Sequence, residues 1–326
     1  MNILVTGGAG YIGSAVAEAL LRAGHRVTIY DSLITGHRAA LPPGAEFVHA
    51  ALEDSSILNE TLQRGKFDAV MHFAAFIEAG ESMKEPGRFY QNNLINSLRL
   101  LEMSVQNGVQ RFVLSSTAAV YRSSDEPLRE DSPLAPSNVY GHTKLVVEQA
   151  LAWYRRIHGL HYAALRYFNA AGALPGRGEA HRPETHLIPR VLQVALGQAE
   201  EALIFGTNYP TPDGTAIRDY VHIADLVSAH LLALEALAER PELVYNVGNG
   251  EGYSVRQVIE TARRVTGHPI PAREMPPRPG DPPRLVASAE KIRRELGWQP
   301  QYPDLESIIA SAWEWHRSHP HGWASS

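Results

Sequence analysis

The chain has 326 residues, 44% of them hydrophobic and 20% charged, with a formal net charge of −5. This is enough chain for one large or two moderate cores, and the charge offers no general attraction to nucleic acid or anionic lipid, so neither is an expected partner. There is no cysteine, which excludes disulfides, thiolate catalysis and Cys-ligated zinc. No apolar run approaches the roughly 20 residues that span a bilayer, and no basic flank precedes the first strand; an unprocessed, cytoplasmic protein is expected.

In chain order, Ile3–Val5, Val27–Tyr30, Ala69–Phe73 and Phe112–Ser115 read as buried strands alternating with amphipathic stretches. Such alternation predicts a doubly wound parallel α/β sheet. Between the first two strands, Ile12, Val16, Ala19, Leu20 and Ala23 recur at helical spacing and Gly24 follows as a C-cap. Long helical patterns follow at about Gly87–Gln106 and Val139–His158, then a strand Tyr162–Arg166. Leu174–Pro183 and Glu274–Pro283, rich in Gly, Pro and charge, read as loops. Helices are expected at Leu187–Leu196, Ile223–Ala238, Val255–Val265, Ala289–Leu296 and Leu305–Arg317, with a short strand Val244–Val247. The texture predicts two lobes around a cleft: residues 1–168, with a return of the chain near 218–247, and a smaller α/β C-terminal substrate domain of residues 169–326.

Directly after the first strand stands Thr6-Gly7-Gly8-Ala9-Gly10-Tyr11-Ile12-Gly13, with Gly7, Gly10 and Gly13 at regular spacing. Glycines here permit a tight turn and let a diphosphate approach backbone N–H groups at a helix N-terminus, the mark of a Rossmann-type dinucleotide site. Asp31 ends the second strand, 18 residues after Gly13, where it can accept from both ribose hydroxyls of an adenosine and would repel a 2′-phosphate. NAD is therefore expected over NADP. Further along, a strand ends in Ser115-Ser116-Thr117, and Tyr140 and Lys144 lie four apart on the next helix. Sharing one face, the Lys144 ammonium and an oxidised nicotinamide should draw the Tyr140 phenol toward the working range of a general base.

These motifs resemble the extended short-chain dehydrogenase/reductase superfamily, over Met1 to about His319. Within it the chain resembles the UDP-glucose 4-epimerases, through Arg166-Tyr167-Phe168-Asn169 with Gly172, the stretch Phe205-Gly206-Thr207-Asn208-Tyr209-Pro210-Thr211-Pro212-Asp213-Gly214-Thr215, and Arg218-Asp219-Tyr220-Val221-His222. The resemblance implies a catalytic group of Tyr140, Lys144 and Thr117. It implies that Tyr11, Ile12, Ser32, Leu52, Phe73, Ala74, Asn92, Ser115 and Phe168 join the glycines, Asp31, Tyr140 and Lys144 around NAD. It also implies a UDP-hexose site of Thr117, Tyr140, Asn169, His186, Leu187, Leu203, Phe205, Arg218, Tyr220, Arg278, Asp281 and Leu285. Two arginines suit a diphosphate clamp, and Asp281 suits the uridine ribose hydroxyls.

The implied reaction is transient oxidation: Tyr140, assisted by Thr117, takes the proton of the 4-hydroxyl while the C4 hydride moves to NAD. The hexose then turns and the hydride returns to its other face. A role in galactose metabolism follows, as does a homodimer packed through the helices near Gly87–Gln106 and Val139–His158. A UDP-sugar decarboxylase, another UDP-sugar epimerase and a non-catalytic NAD-sensing protein share the scaffold. The 4,6-dehydratases carry an acidic residue where this chain has Thr117-Ala118-Ala119.

Thr117 replaces the usual Ser, Ala51 an Asp that contacts adenine, and Ile77 a frequent Lys, so weaker retention of NAD is expected. Leu285 aligns with a position beside the sugar's 2-substituent that holds Tyr in members strict for UDP-glucose and UDP-galactose, which points to some acceptance of N-acetylated sugars. The 15 histidines show no ligand set in the sequence, His142, His319 and His321 included, so no metal is expected.

Overall fold

In the computed structural model, which describes residues 1–278 and 281–323, the first half of the chain alternates strand and helix. Its elements are β1 (Asn2–Thr6), α1 (Tyr11–Arg22), β2 (Arg26–Asp31), β3 (Glu46–His49), α2 (Ser55–Gly65), β4 (Ala69–His72), the short α3 (Ala79–Ser82) and α4 (Pro86–Phe89), α5 (Asn96–Gln106), β5 (Arg111–Thr117), α6 (Val139–His158) and β6 (His161–Tyr167). The second half carries β7 (Asn169–Ala171), α7 (Leu187–Ala195), β8 (Ala202–Phe205), β9 (Ile217–Arg218), β10 (Tyr220–His222), α8 (Ile223–Ala236) and β11 (Glu242–Val247). It ends with β12 (Tyr253–Ser254), α9 (Val255–Thr266), β13 (Ala272–Met275), β14 (Arg284–Leu285), α10 (Glu290–Leu296) and α11 (Leu305–Ser318). Pro279 and Gly280, within the predicted Arg278–Asp281 stretch, and the last three residues of the C-terminal lobe lie outside the described residues.

Seven strands, all parallel to their neighbours, form the main sheet in the order β11-β6-β5-β4-β1-β2-β3. Alternation along β1 shows why both faces are covered. Ile3 and Val5 pack into a core shared with α1 and α8, whereas Leu4 points into a second core with Leu58 and Leu62 of α2, Leu100 and Leu101 of α5, and Val147 and Leu151 of α6. This is the predicted doubly wound sheet, with β11 at its edge beside β6. A third core joins α7, β8, α9 and α11 in the C-terminal part. There β8 pairs with β13, and β9 pairs with both β12 and β14.

Helix ends follow local chemistry. Asn138 caps α6 by accepting from Gly141 N–H at 2.8 Å, and Gly159, at φ 72°, ends it in the left-handed region. The expected continuous helix near Gly87–Gln106 is instead interrupted by a π-helical turn over Tyr90–Ile95. In that wider turn the buried Asn93 side chain accepts from Phe76 N–H at 2.8 Å and donates to Phe76 O at 2.7 Å, pinning the loop after β4. Glu274 and Met275, read as loop from the sequence, belong to β13. β3 and α2 were not anticipated.

Candidate active site

The carboxyl ends of β1, β2, β4 and β5 open on one side of the sheet, where an α/β fold binds its ligands. Gly7, at φ +74°, makes the turn out of β1; a Cβ there would lie 2.5 Å from Ala74 N, and one on Gly13 would lie 2.2 Å from Gly7 O. Gly10 N–H donates to Gly7 O at 3.1 Å, and α1 starts at Tyr11 with neither a side-chain cap nor an acidic residue in its first turn. The turn therefore packs with no room for side chains and leaves helix N–H groups facing outward, which fits a dinucleotide diphosphate.

Asp31, at the end of β2, is buried, and its two oxygens accept from Ala9 N–H at 2.9 Å and Leu33 N–H at 2.8 Å. Each oxygen keeps a further lone pair for a ribose hydroxyl. Ser32 follows it. Leu52 and Ala51 lie past β3, where the Ala51 carbonyl accepts from the Tyr30 hydroxyl at 3.0 Å. Phe73 and Ala74 follow β4, with the Phe73 ring 5.0 Å from that of His230. Tyr11 donates its hydroxyl to Gly172 O at 2.6 Å, tying the glycine turn to the C-terminal part. Asn92, on the π-helical turn, donates to the Asn93 side chain at 2.8 Å, and the backbone N–H of Ile77 donates to Glu78 at 3.1 Å.

Thr117 ends β5 and Tyr140 lies in the first turn of α6, and the helix is pressed onto the turn after β5 so closely that a Cβ on Gly141 would lie 2.2 Å from Ala119 O. That approach brings the phenol to the Thr117 hydroxyl. Burial pushes the Tyr140 phenol up to about 12, Thr117 pulls it down by hydrogen bonding, and Glu78 adds to the rise. The sequence reading gave the lowering role to Lys144. In the structure Lys144 Nζ donates to Ser115 O at 2.8 Å, and burial pushes the ammonium down to about 8 while Glu148 holds it back. In the protein alone, desolvation of the phenol outweighs the favourable contacts around it. The Ser115 hydroxyl itself bonds to the Tyr167 hydroxyl.

Sequence reasoning missed a buried ion pair behind this group. Tyr140, Lys144 and Glu148 follow one another at intervals of four on α6. The Glu148 carboxylate accepts from Arg166 Nε at 3.1 Å, from Arg166 Nη2 at 2.6 Å and from the Ser116 hydroxyl. It thereby ties α6 to β5 and β6. The signal for Arg166 in the sequence is a charged residue inside an apolar strand.

On the facing side, β7 and β10 pair with Asn169 opposite Tyr220, and Asn169 donates to Asp219 O at 2.8 Å, with Phe168 buried just before it. Leu203 and Phe205 alternate with the core residues Ala202 and Ile204 along β8, so both leave the core on the same side. The Arg278 guanidinium lies 4.0 Å from the Phe205 ring centroid. Arg218 is paired with Asp281, so the expected diphosphate clamp and ribose acceptor neutralise each other in the protein alone. Leu285 pairs with Arg218 in the short β9–β14 ladder and packs against the cluster containing Phe168 and Ala287. Asp219, also missed, accepts from the N–H groups of Asn249, Gly250 and Ala287, each at 3.0 Å, and so fixes the loops around β14.

His186 precedes Leu187 at the start of α7, and its Nδ1 lies 2.8 Å from Glu184. A histidine set invisible in the sequence appears here: one ligand atom from each of Glu179, His181 and His186 lies within 4.8 Å of the others.

The model of the NAD dependent epimerase/dehydratase family matches residues 3–248. A UDP-glucose 4-epimerase of Halalkalibacterium halodurans is 49% identical over 329 residues, covering 100% of this chain and 98% of its own. A crystal structure of UDP-glucose 4-epimerase from Brucella ovis in complex with NAD is 41% identical at a TM-score of 0.92, covering 96% of this chain and 97% of its own. The UDP-Glc/GlcNAc 4-epimerase of Campylobacter jejuni is 40% identical at a TM-score of 0.86, with 97% and 99% covered. Likeness of this extent, in sequence and fold together, means that the chain belongs to the NAD dependent epimerase/dehydratase family.

Proposed function

We propose that this chain interconverts UDP-glucose and UDP-galactose by NAD-dependent transient oxidation at C4 of the hexose. The observation that carries the reading is the half-buried Tyr140–Thr117 pair at the carboxyl end of β5, in the sheet whose β1 leads into the glycine turn, together with Arg218, Arg278 and Asp281 in the C-terminal part. Bound NAD supplies reversible oxidation at C4 and, in its oxidised form, a positive charge that favours the Tyr140 phenolate. Gly7, Gly10, Gly13, Asp31 and Lys144 hold that cofactor. Tyr140 takes the proton of the 4-hydroxyl and later returns it, while Thr117 donates to the phenolic oxygen and favours its charged form. Arg218 and Arg278 grip the diphosphate, with Arg218 released from Asp281, which turns to the uridine ribose. Held at its nucleotide end, the sugar can turn and present its other face to the same proton donor.

The reading extends to four finer points. Residues 1–168, with the return of the chain near 218–247, hold the cofactor, and residues 169–326 serve mainly the UDP-sugar. Leu285 leaves room for a 2-acetamido group, so UDP-N-acetylglucosamine is a second substrate. Two chains pair through the π-helical turn, α5 and α6, where Ile95, Trp153 and Ile157 are exposed apolar side chains. The enzyme works in the cytoplasm in galactose metabolism; no helix among the described residues is long and apolar enough to cross a membrane.

The test is incubation with UDP-galactose, with and without added NAD, followed by separation of the products. UDP-glucose is expected, with activity rising on added NAD because Ala51 and Ile77 supply no polar side chains. Carbon dioxide from UDP-glucuronate with no turnover of UDP-galactose would refute the reading. Elution as a monomer in light-scattering chromatography would refute the pairing.

A further inference from the structure

The loop between β7 and α7 holds a cluster of titratable side chains that, apart from His186, the reaction above does not use. Glu179 is buried, and its carboxylate accepts from the N–H groups of Ala180 at 2.8 Å and His181 at 3.0 Å. Its carbonyl accepts from Trp315 Nε1 at 3.0 Å, and the neighbouring Arg177 donates to Glu18 at 2.9 Å. The loop is thus anchored to both α11 and α1. Two imidazoles complete the group: His181 Nδ1 contacts Glu179, and the His181 and His186 rings stand 5.4 Å apart. Glu184, itself buried, contacts His186 Nδ1 at 2.8 Å and accepts from His186 N–H at 2.7 Å.

We propose that Glu179, His181 and His186 form a binding site for one divalent transition-metal ion of the zinc type, with Glu184 as the carboxylate that orients His186. Two imidazoles and one carboxylate, with ligand atoms within 4.8 Å of one another, are a donor set that suits a borderline cation. Magnesium and calcium are disfavoured because they seek oxygen ligands. With Nδ1 of His186 held by Glu184, its Nε2 is left to ligate, the arrangement found around metal-bound imidazoles generally. The three protein ligands come from an eight-residue stretch that leads into α7, so the ion acts as a clip on this loop.

The inference does not depend on the proposed reaction. The full chain, freed of metal by dialysis against a chelator, is titrated with zinc chloride by calorimetry, with magnesium chloride as the comparison. One saturable zinc site per chain is expected, together with a zinc-dependent rise in Tm. Glu184→Gln should weaken binding about 10–100-fold, and His181→Gln should weaken it further and abolish the rise in Tm. No saturable site and no change in Tm in the wild type would overturn the proposal whatever the variants do. So would wild-type affinity in His181→Gln and Glu179→Gln, since zinc would then be bound elsewhere.

Discussion

Replacing Glu148 by alanine should destabilise the protein by about 3–5 kcal/mol, the usual cost of removing one member of a buried ion pair. Both side chains of the Glu148–Arg166 pair are only 6% exposed. Without the carboxylate, the guanidinium keeps the Tyr121 hydroxyl at 2.9 Å and the Glu130 carbonyl at 3.2 Å, neither of which carries a charge. The Ser116 hydroxyl loses its acceptor as well. With an unfolding entropy of about 2 cal/mol/K per residue over this chain, the loss corresponds to a fall in Tm of roughly 4–7 °C. Scanning calorimetry reads that directly, and urea titration followed by tryptophan fluorescence checks the free energy. Turnover should fall too, because Glu148 sits two helical turns from Tyr140 and fixes α6 against β5. The control is Glu148→Met with Arg166→Met, which removes both charges and should regain most of the stability. A loss under about 1 kcal/mol in the single variant, or a double variant no better than the single, would refute the argument that the unpaired guanidinium is what costs.

Tyr140→Phe removes the phenolic oxygen alone and should lower turnover of UDP-galactose by about 10²–10⁴-fold while NAD and UDP binding stay near normal; turnover close to wild type would dismiss Tyr140 as the base. Thr117→Ser keeps the hydroxyl and should be mild by comparison. Titration should show NAD bound at least about tenfold more tightly than NADP, and Asp31→Ser should narrow the gap, because the Asp31 carboxylate opposes a 2′-phosphate. Burial lowers Lys144 from 10.5 to about 8, so between about pH 8 and 10 the unfolded chain holds a proton that the folded chain has released. That difference raises unfolding free energy with pH by at most about 1.4 kcal/mol per unit, and Lys144→Met should flatten the rise in urea midpoints between pH 8 and 9.5. Leu285→Tyr should suppress epimerisation of UDP-N-acetylglucosamine selectively; equal losses on both substrates would mean that the residue does not sense the 2-substituent.

What could be read in the sequence was whatever one periodicity dominated. α6 runs over Val139–His158, as its apolar spacing, Asn138 and Gly159 indicate, and the buried runs that became β1, β2, β4 and β5 need no tertiary information to be recognised. β3 failed this test because an edge strand of Glu46, Phe47, Val48 and His49 is exposed at both ends and shows no apolar run. The interruption at Tyr90–Ile95 depends on Asn93 reaching a backbone 17 residues away, which no local pattern announces. The site divides in the same way. Gly7, Gly13, Tyr140 and Lys144 announce themselves by spacing along a turn or a helix. Asp219 and Glu148 become visible only when loops or strands far apart in sequence are brought together, and the Glu179–His181–His186 group lies within eight residues of a loop that has no period at all.

The position of β11 has a consequence for how the molecule is made. The strand beside β6 in the finished sheet is Glu242–Val247, so β6 emerges from the ribosome with one side of its hydrogen-bonding edge open. Its neighbour follows after roughly 80 more residues, which at ~5–20 residues per second takes on the order of 10 s. For that interval the backbone of an almost fully buried strand is a template for wrong pairing with other nascent chains. Yield in a heterologous host should therefore respond to translation speed and chaperone supply across this interval, and a fragment ending after β6 should aggregate although it contains the whole glycine turn and the Tyr140 helix.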